Sequence, residues 1–555
     1  MRQITVDELA TLMQDGAQLV DVREHDEYAS GHVPGARALP MSQLPSRLAD
    51  LDRDRDVLLV CRSGNRSGAM AEVLDAQGFT AVNVIGGTDA WIASGREVTG
   101  APALTVHTIE TPSLGDRSYL VHDGRVAFVV DPQRDIDRVL DLLAADGVRL
   151  THVFETHIHN DYVTGGYALA AATGAGYYVN AADEVSFQRT GISDGDVLDV
   201  SDRMRVTVLA TPGHTFTHLS YALADPTQGT SVGVFTGGSL LYGATGRPDL
   251  LGAQYADELA RHQHASAHRI AQLPEDTGVF PTHGFGSFCS ATQSEAAEST
   301  IGEERLINPV LTSDEETYVR DLLAGLGAYP AYYAHMGPAN SLGPDAPDLS
   351  LPGVADAHEL RHRIEAGEWV VDLRNRTAFA AGHAPGTLNF GIDGPFSTYL
   401  GWMIEWGTPV TLLGESAEQV AEAQRELVRI GIDRPAAHAT GGPQDWSTGE
   451  LGSFPTATFA DYAQVRSHRD VVLLDVRRAE EYAASSIPGA VNVPLHELLR
   501  RLAEVPAGEV WVHCAGGYRA SVGASVLAAA GVHVVAIDDP YDEAIALGLP
   551  GETPA

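Results

Sequence analysis

The chain has 555 residues, with 36 Lys and Arg against 74 Asp and Glu, a formal net charge of −38, and 44% hydrophobic residues. Every basic residue is arginine, which excludes a lysine Schiff base, a P-loop lysine and a kinase lysine, and the acidic balance argues against nucleic acid as a partner, since that needs basic patches. Length points to about three to four domains at roughly 150 residues each, with enough apolar content for real cores.

The start of the chain, Met1 to Glu8, has no apolar signal stretch, and no apolar run is long enough to span a bilayer. The sequence therefore reads as cytoplasmic, with no membrane partner. Cys61, Cys289 and Cys514 are too few and too scattered to form a disulfide framework.

The first predicted strand is Leu19-Val20-Asp21-Val22-Arg23, followed by the turn Pro34-Gly35, a second strand over Val57 to Val60, and a helix from about Ala69 to Gln77. The same order returns with Val370-Val371-Asp372-Leu373-Arg374, Pro385-Gly386, Val410 to Leu413 and a helix over 417–430. It returns again with Leu473-Leu474-Asp475-Val476-Arg477, Pro488-Gly489 and Val510 to Val512. Short apolar runs alternating with helices predict parallel sheets covered on both faces. The copies occupy 1–100, 353–450 and 456–550.

Where the second strand ends, the copies part. The first ends at Cys61-Arg62-Ser63-Gly64-Asn65-Arg66 and the third at Cys514-Ala515-Gly516-Gly517-Tyr518-Arg519, both C-x4-R; the middle copy ends near Gly414 with no thiol. A glycine-containing loop at a helix start turns backbone N–H groups inward as an anion nest. A cysteine at its first position ionises readily and is a good nucleophile, and Arg66 or Arg519 is expected to complete the cradle. The alternative is an unreactive cysteine in a turn.

Between the first two copies lies an unlike segment, 103–310, opening with strands at Ser118 to Val121 and Val126 to Asp131. It contains His157-Ile158-His159-Asn160-Asp161-Tyr162, then Gly213-His214 and His283-Gly284, all at predicted strand ends where loops converge. Imidazoles so placed are common metal ligands. Residues 311–352, rich in Gly, Pro, Ala and Tyr, read as a connecting segment packed against it.

On the D-V-R … G-H-V-P-G-A signature and the six-residue loops, all three copies resemble rhodanese domains. The resemblance places the persulfide-forming cysteine at Cys61 and Cys514, and makes the middle copy an inactive rhodanese domain. A cysteine phosphatase carries a loop one residue longer, so sulfur transfer is the preferred reading. Segment 103–310 resembles the metallo-β-lactamase fold, an αββα sandwich, and within it the persulfide dioxygenases fused to rhodanese domains. Gly246-Arg247-Pro248-Asp249-Leu250-Leu251 and Gly284-Phe285-Gly286-Ser287-Phe288-Cys289 carry this likeness. The implied whole is a multidomain α/β protein with three rhodanese-like domains and one metallo-β-lactamase sandwich.

The resemblance implies one divalent metal, Fe(II) ahead of Zn(II), with ligands at His157 and His214. Tyr162 stands where the family's two-metal hydrolases have a histidine, which argues against a thioester hydrolase of glyoxalase II type. Gly238, in Phe235-Thr236-Gly237-Gly238, stands where the family's aspartate ligand belongs. His159 is then expected to complete a three-histidine site, and a site without metal is the alternative. Asp161 reads as a weaker candidate ligand or a supporting partner, His283 as a pocket or vestigial second-site residue ahead of a ligand, His218 as structural, and Cys289 as a buried turn residue ahead of a pocket thiol.

The implied function is oxidation of a low-molecular-weight persulfide to sulfite coupled to sulfane-sulfur transfer, with thiols, persulfides, thiosulfate and sulfite as small-molecule partners; a homo-oligomer is left open. The alternatives are a sulfurtransferase or sulfur carrier with a degenerate central scaffold, and a thioester hydrolase. Because the substrates are anions and the chain is acidic, attraction must be local, from the backbone nests and from Arg62, Arg66, Arg519 and Arg247.

Overall fold

The computed structural model describes residues 2–551 apart from 15–16, 30, 97, 100–103 and 292–295. The chain divides into two compact units, Met1–Thr105 and Val106–Ala555. Among the described residues no helix is long and apolar enough to cross a membrane.

In the first unit five parallel strands run in the order Arg2–Ile4, Ala81–Val84, Val57–Val60, Gln18–Asp21, Arg37–Ala38. Val57–Val60 is central and wholly buried, as a strand covered on both faces must be. The D-x-R signature has a local cause. The Arg23 guanidinium bonds both Asp21 oxygens and the Gly31 carbonyl, and its own backbone N–H donates to Asp21. Asp372–Arg374 bonding to Gly382, and Asp475–Arg477 bonding to Ser485, repeat the arrangement. A buried carboxylate is tolerable only when so paired, which is why both residues recur together.

The second unit opens with a sandwich. One six-stranded sheet contains Asp116–His122, Val126–Val130, Arg149–Phe154, Gly176–Asn180 and Thr190–Ile192; a five-stranded sheet contains Val197–Asp199, Arg205–Ala210, Leu219–Asp225, Thr230–Gly237 and Gly278–Pro281. Their inner faces meet through aromatic rings, Phe128 on Phe235 at 5.7 Å and Phe154 on Tyr221 at 4.9 Å. Helices Asp137–Asp146 and Gly166–Thr173 cover the first sheet, and Ala256–Ile270 covers the second. The result is an αββα sandwich whose strands at one end deliver the histidine loops.

Residues 311–352 do more than connect. They form helices Glu315–Ala324, capped by Asp314, and Tyr333–Leu342. Tyr332, Tyr333 and Met336 enter a core that also contains Tyr162, Cys289, Phe396 and Ile430.

The two remaining rhodanese-like sheets, of four and five parallel strands, belong to this unit. The middle one docks on the sandwich through arginines: Arg429 pairs with buried Asp135, Arg425 with Asp137, and Asp433 with Arg134. It also grips the last one. Tyr518 donates to the Gly391 carbonyl at 3.0 Å, Ser521 donates to Asn389 at 2.8 Å, and Arg376 pairs with Asp538. Gly394 must lack a side chain because a Cβ there would strike the Tyr518 ring.

Candidate metal centre and thiol loops

Cys61 follows the buried strand Val57–Val60 and precedes helix Asn65–Ala76, with Gly64 left-handed at φ +92°. That turn aims the Gly64 N–H at the sulfur, 3.2 Å away, and the Ser67 hydroxyl donates at 3.3 Å. Burial pushes the Cys61 thiol up, but the Ser67 hydroxyl and the backbone N–H groups of Ser67, Gly64 and Ser63 bring it below its ordinary value. At Cys514 the Gly517 N–H donates at 3.1 Å, again from a left-handed glycine.

The arginines depart from expectation. Arg66 makes two bonds to Glu27, at 2.7 and 2.6 Å, and Arg519 makes two to Glu481, at 2.6 and 2.8 Å. Each guanidinium therefore ties the helix start to a glutamate, and the sulfur is served by backbone donors. The bond from Arg66 holds Glu27 down to about 2; against burial, Arg519 and Arg478 hold Glu481 down to about 2 as well. Arg62 is largely exposed, 3.6 Å from Asp89. In the middle copy the strand ends at Gly414, and Ser416 caps the next helix by accepting from the Gln419 N–H. An ordinary cap replaces the nest.

In the sandwich His157, His159, His214 and His283 converge, with ring centroids 4.1 Å apart for 157–159, 4.8 Å for 157–214 and 5.4 Å for 214–283. All four are buried. Each uses one nitrogen on a neighbour. His157 Nδ1 is 2.9 Å from the Thr156 hydroxyl, and His214 Nδ1 donates to the Arg247 carbonyl at 2.9 Å. His159 Nε2 lies 3.2 Å from Asp131 and 3.2 Å from Glu155, and His283 Nδ1 lies 3.0 Å from Asp116 and 3.1 Å from Asp161.

The opposite nitrogens, His157 Nε2, His159 Nδ1, His214 Nε2 and His283 Nε2, are buried without any hydrogen-bond partner. Leaving several buried polar atoms unpaired is costly, and a cation relieves it; ligand atoms of His157, His159 and His283 lie within 4.8 Å of one another, as do those of His214, His283 and Cys289. The residues present thus fit a divalent metal. Burial and neighbouring imidazoles hold His157 well below its ordinary value, and burial holds His214 down to about 3. Both are held toward the neutral form in which an imidazole binds metal. Burial alone would lower His159, but Asp131 and Glu155 raise it to about 9.

Gly238 carries no ligand, and a Cβ there would fall against the His214 ring. Tyr162 donates toward the Asp131 carbonyl and lies 3.0 Å from His159 Nε2, filling the space beside it. His218 is structural: one ring nitrogen faces Thr211 and the other accepts from the Gly238 N–H. The Arg247 guanidinium is buried on Asp249 and the Gly327 carbonyl, so its service to the site comes through the backbone carbonyl that orients His214.

Some contributors escaped the sequence reading. Asp131 is the one non-glycine at positive φ among the described residues, and it gathers the Thr156 N–H and hydroxyl and the Thr282 hydroxyl as well as His159. Its signal, an aspartate closing an apolar run, was available. Asn340, from the connecting helices, donates to the His159 and Tyr162 carbonyls and accepts from the Thr164 N–H; nothing local announces it.

The family described as Rhodanese-like domain matches residues 5–94, 356–448 and 458–543, and the Metallo-beta-lactamase superfamily matches 116–283. The chain joins both families. Persulfide dioxygenase ETHE1 of Homo sapiens is 30% identical over 235 residues, 41% of this chain and 83% of that protein. A hydroxyacylglutathione hydrolase of Methylobacillus flagellatus is 31% identical over 168 residues, 30% of this chain and 61% of that protein. Among solved structures, a metallo-beta-lactamase from Staphylococcus aureus superposes with a TM-score of 0.55 at 27% identity, covering 61% of this chain and 98% of that one. Three rhodanese-like domains and one metallo-beta-lactamase domain therefore make up this fusion.

Proposed function

We propose that this fusion oxidises a low-molecular-weight persulfide to sulfite and moves sulfane sulfur through Cys61 and Cys514. The roles fall to 1–100 and 456–550 for sulfur transfer, 103–310 for oxidation, and 311–352 and 353–450 for support. The observation that carries the reading is the set of partnerless ring nitrogens at His157, His159, His214 and His283, with Tyr162 beside His159. The ETHE1 likeness points the same way.

An Fe(II) ion held among the ring nitrogens of His157, His159, His214 and His283 would supply activation of dioxygen toward a bound persulfide. The overall change consumes persulfide, dioxygen and water, and yields thiol, sulfite and two protons. At the loops, the Cys61 or Cys514 thiolate, held by the Gly64 or Gly517 N–H, attacks the outer sulfur of a low-molecular-weight persulfide; that S–S bond breaks, the thiol leaves, and a cysteine persulfide remains. Sulfite then attacks the outer sulfur of a cysteine persulfide; the S–S bond breaks, thiosulfate leaves, and the cysteine thiolate returns. Carrying both activities on one chain raises the local concentration of the passed sulfur.

The second reading, hydrolysis of a glutathione thioester, has the hydroxyacylglutathione hydrolase likeness behind it. Metal analysis with oxygen uptake on glutathione persulfide, set beside hydrolysis of S-lactoylglutathione, separates the two. The proposal expects oxygen uptake and negligible hydrolysis; the reverse pattern refutes it.

A further inference from the structure

We propose that Cys289 is a ligand of the metal ion, its thiolate supplying the negative charge that position 238 cannot. This rests on the reading that the histidine cluster holds an ion. The Cys289 side chain is fully buried, six residues beyond His283. Its backbone is pinned on both sides: the Cys289 N–H donates to the Ser287 hydroxyl at 3.2 Å, and its carbonyl accepts from the Arg247 N–H at 2.8 Å. Its sulfur and ring nitrogens of His214 and His283 all lie within 4.8 Å of one another. His214 Nε2 and His283 Nε2 have no hydrogen-bond partner, so both rings grouped with the thiol keep a nitrogen free for a metal.

Charge decides the rest. Imidazole donors bring no negative charge of their own to a divalent ion, whereas a thiolate does. On the His214 side Gly238 offers no carboxylate, and no side chain fits there. The nearby acids stand against the far nitrogens of two of the rings, Asp131 and Glu155 against His159, and Asp116 and Asp161 against His283. Cys289 is the anionic donor that groups with the His214 and His283 nitrogens. Its thiol donates to Asp161 and accepts from Tyr333. Coordination breaks the S–H bond heterolytically, the sulfur keeps the electron pair, and the proton passes to solvent. A thiolate donor makes the centre softer than an all-nitrogen set and favours zinc and iron over magnesium or calcium.

The test uses the full chain carrying Cys61→Ser and Cys514→Ser, in which Cys289 is the sole thiol. Cobalt(II) is titrated in, bound cobalt is measured after desalting, and the near-ultraviolet spectrum is read for a thiolate-to-cobalt charge-transfer band. We expect a band that grows with bound cobalt, vanishes on adding Cys289→Ser, and is absent in Cys289→Asp while cobalt is retained. Cobalt bound without the band overturns the Cys289 assignment and leaves the histidine centre standing. No bound cobalt overturns both. Because the sole-thiol protein already decides, poor folding of a Cys289 variant does not blunt the test.

Discussion

At Cys61 and Cys514 the sulfur accepts a backbone N–H from the third residue on, at nearly the same distance, yet the two surroundings differ. Around Cys61 the extra donor is local, the Ser67 hydroxyl, and the Arg66–Glu27 pair is about a third exposed. Around Cys514 an alanine, Ala520, stands in place of Ser67, and the Arg519–Glu481 pair is more buried and joined by Arg478. Tyr518 in that loop is anchored on the middle rhodanese-like domain. One nest is thus tuned from within its own helix, and the other is braced by a neighbouring domain that has given up its own thiol. A copy without a nucleophile keeps a use when its surface holds its sister's loop.

The largest expected effect comes from the sulfurs themselves. Cys61→Ser and Cys514→Ser together abolish thiosulfate-to-cyanide sulfur transfer, measured as thiocyanate, while each single variant keeps the other loop's share. Full activity in the double variant breaks the comparison outright. Next are the clamps. Arg519→Ala leaves partly buried Glu481 with Arg478 alone and is expected to cost about 2–3 kcal/mol in denaturant unfolding of the second unit. Arg66→Ala, at a more exposed pair, costs at most about 1 kcal/mol. Equal losses would show that burial does not distinguish the clamps.

The Glu481 clamp also has a pH signature. Its carboxyl is held down to about 2 in the folded protein, against about 4.3 unfolded. A depressed carboxyl stabilises above its unfolded value and loses that contribution as pH falls toward its folded value. The gap between the native protein and Arg519→Ala should therefore close between about pH 4.3 and about pH 2. Smallest is the hydroxyl effect: Ser67→Ala raises the Cys61 thiol and slows its alkylation by iodoacetamide roughly fivefold at neutral pH. Ala520→Ser should speed alkylation at Cys514, and no change in either would remove side-chain tuning from the account.

What was legible in the sequence is what depends on near neighbours. The D-x-R signature marks a bond between residues two apart, and each thiol loop builds its nest within a few residues, so motif spacing reveals both. The histidines were legible because strand ends and glycines flag converging loops. Partner choice across distance was not. Arg66 and Arg519 could be seen as loop arginines, but Glu27 and Glu481 lie 39 and 38 residues earlier, and no local pattern links them. Asn340 and Tyr333 reach the site from a segment whose composition suggested only a connector. His283 looked peripheral because its sequence shows neither the two aspartates at one nitrogen nor the partnerless nitrogen opposite.

The most direct measurement of the central claim is oxygen consumption by the Fe(II)-loaded full chain given glutathione persulfide. Dioxygen should disappear in step with persulfide, with sulfite released by the Cys61→Ser/Cys514→Ser variant and thiosulfate by the native protein. Iron-loaded protein that consumes no oxygen, with or without its loop cysteines, would contradict it.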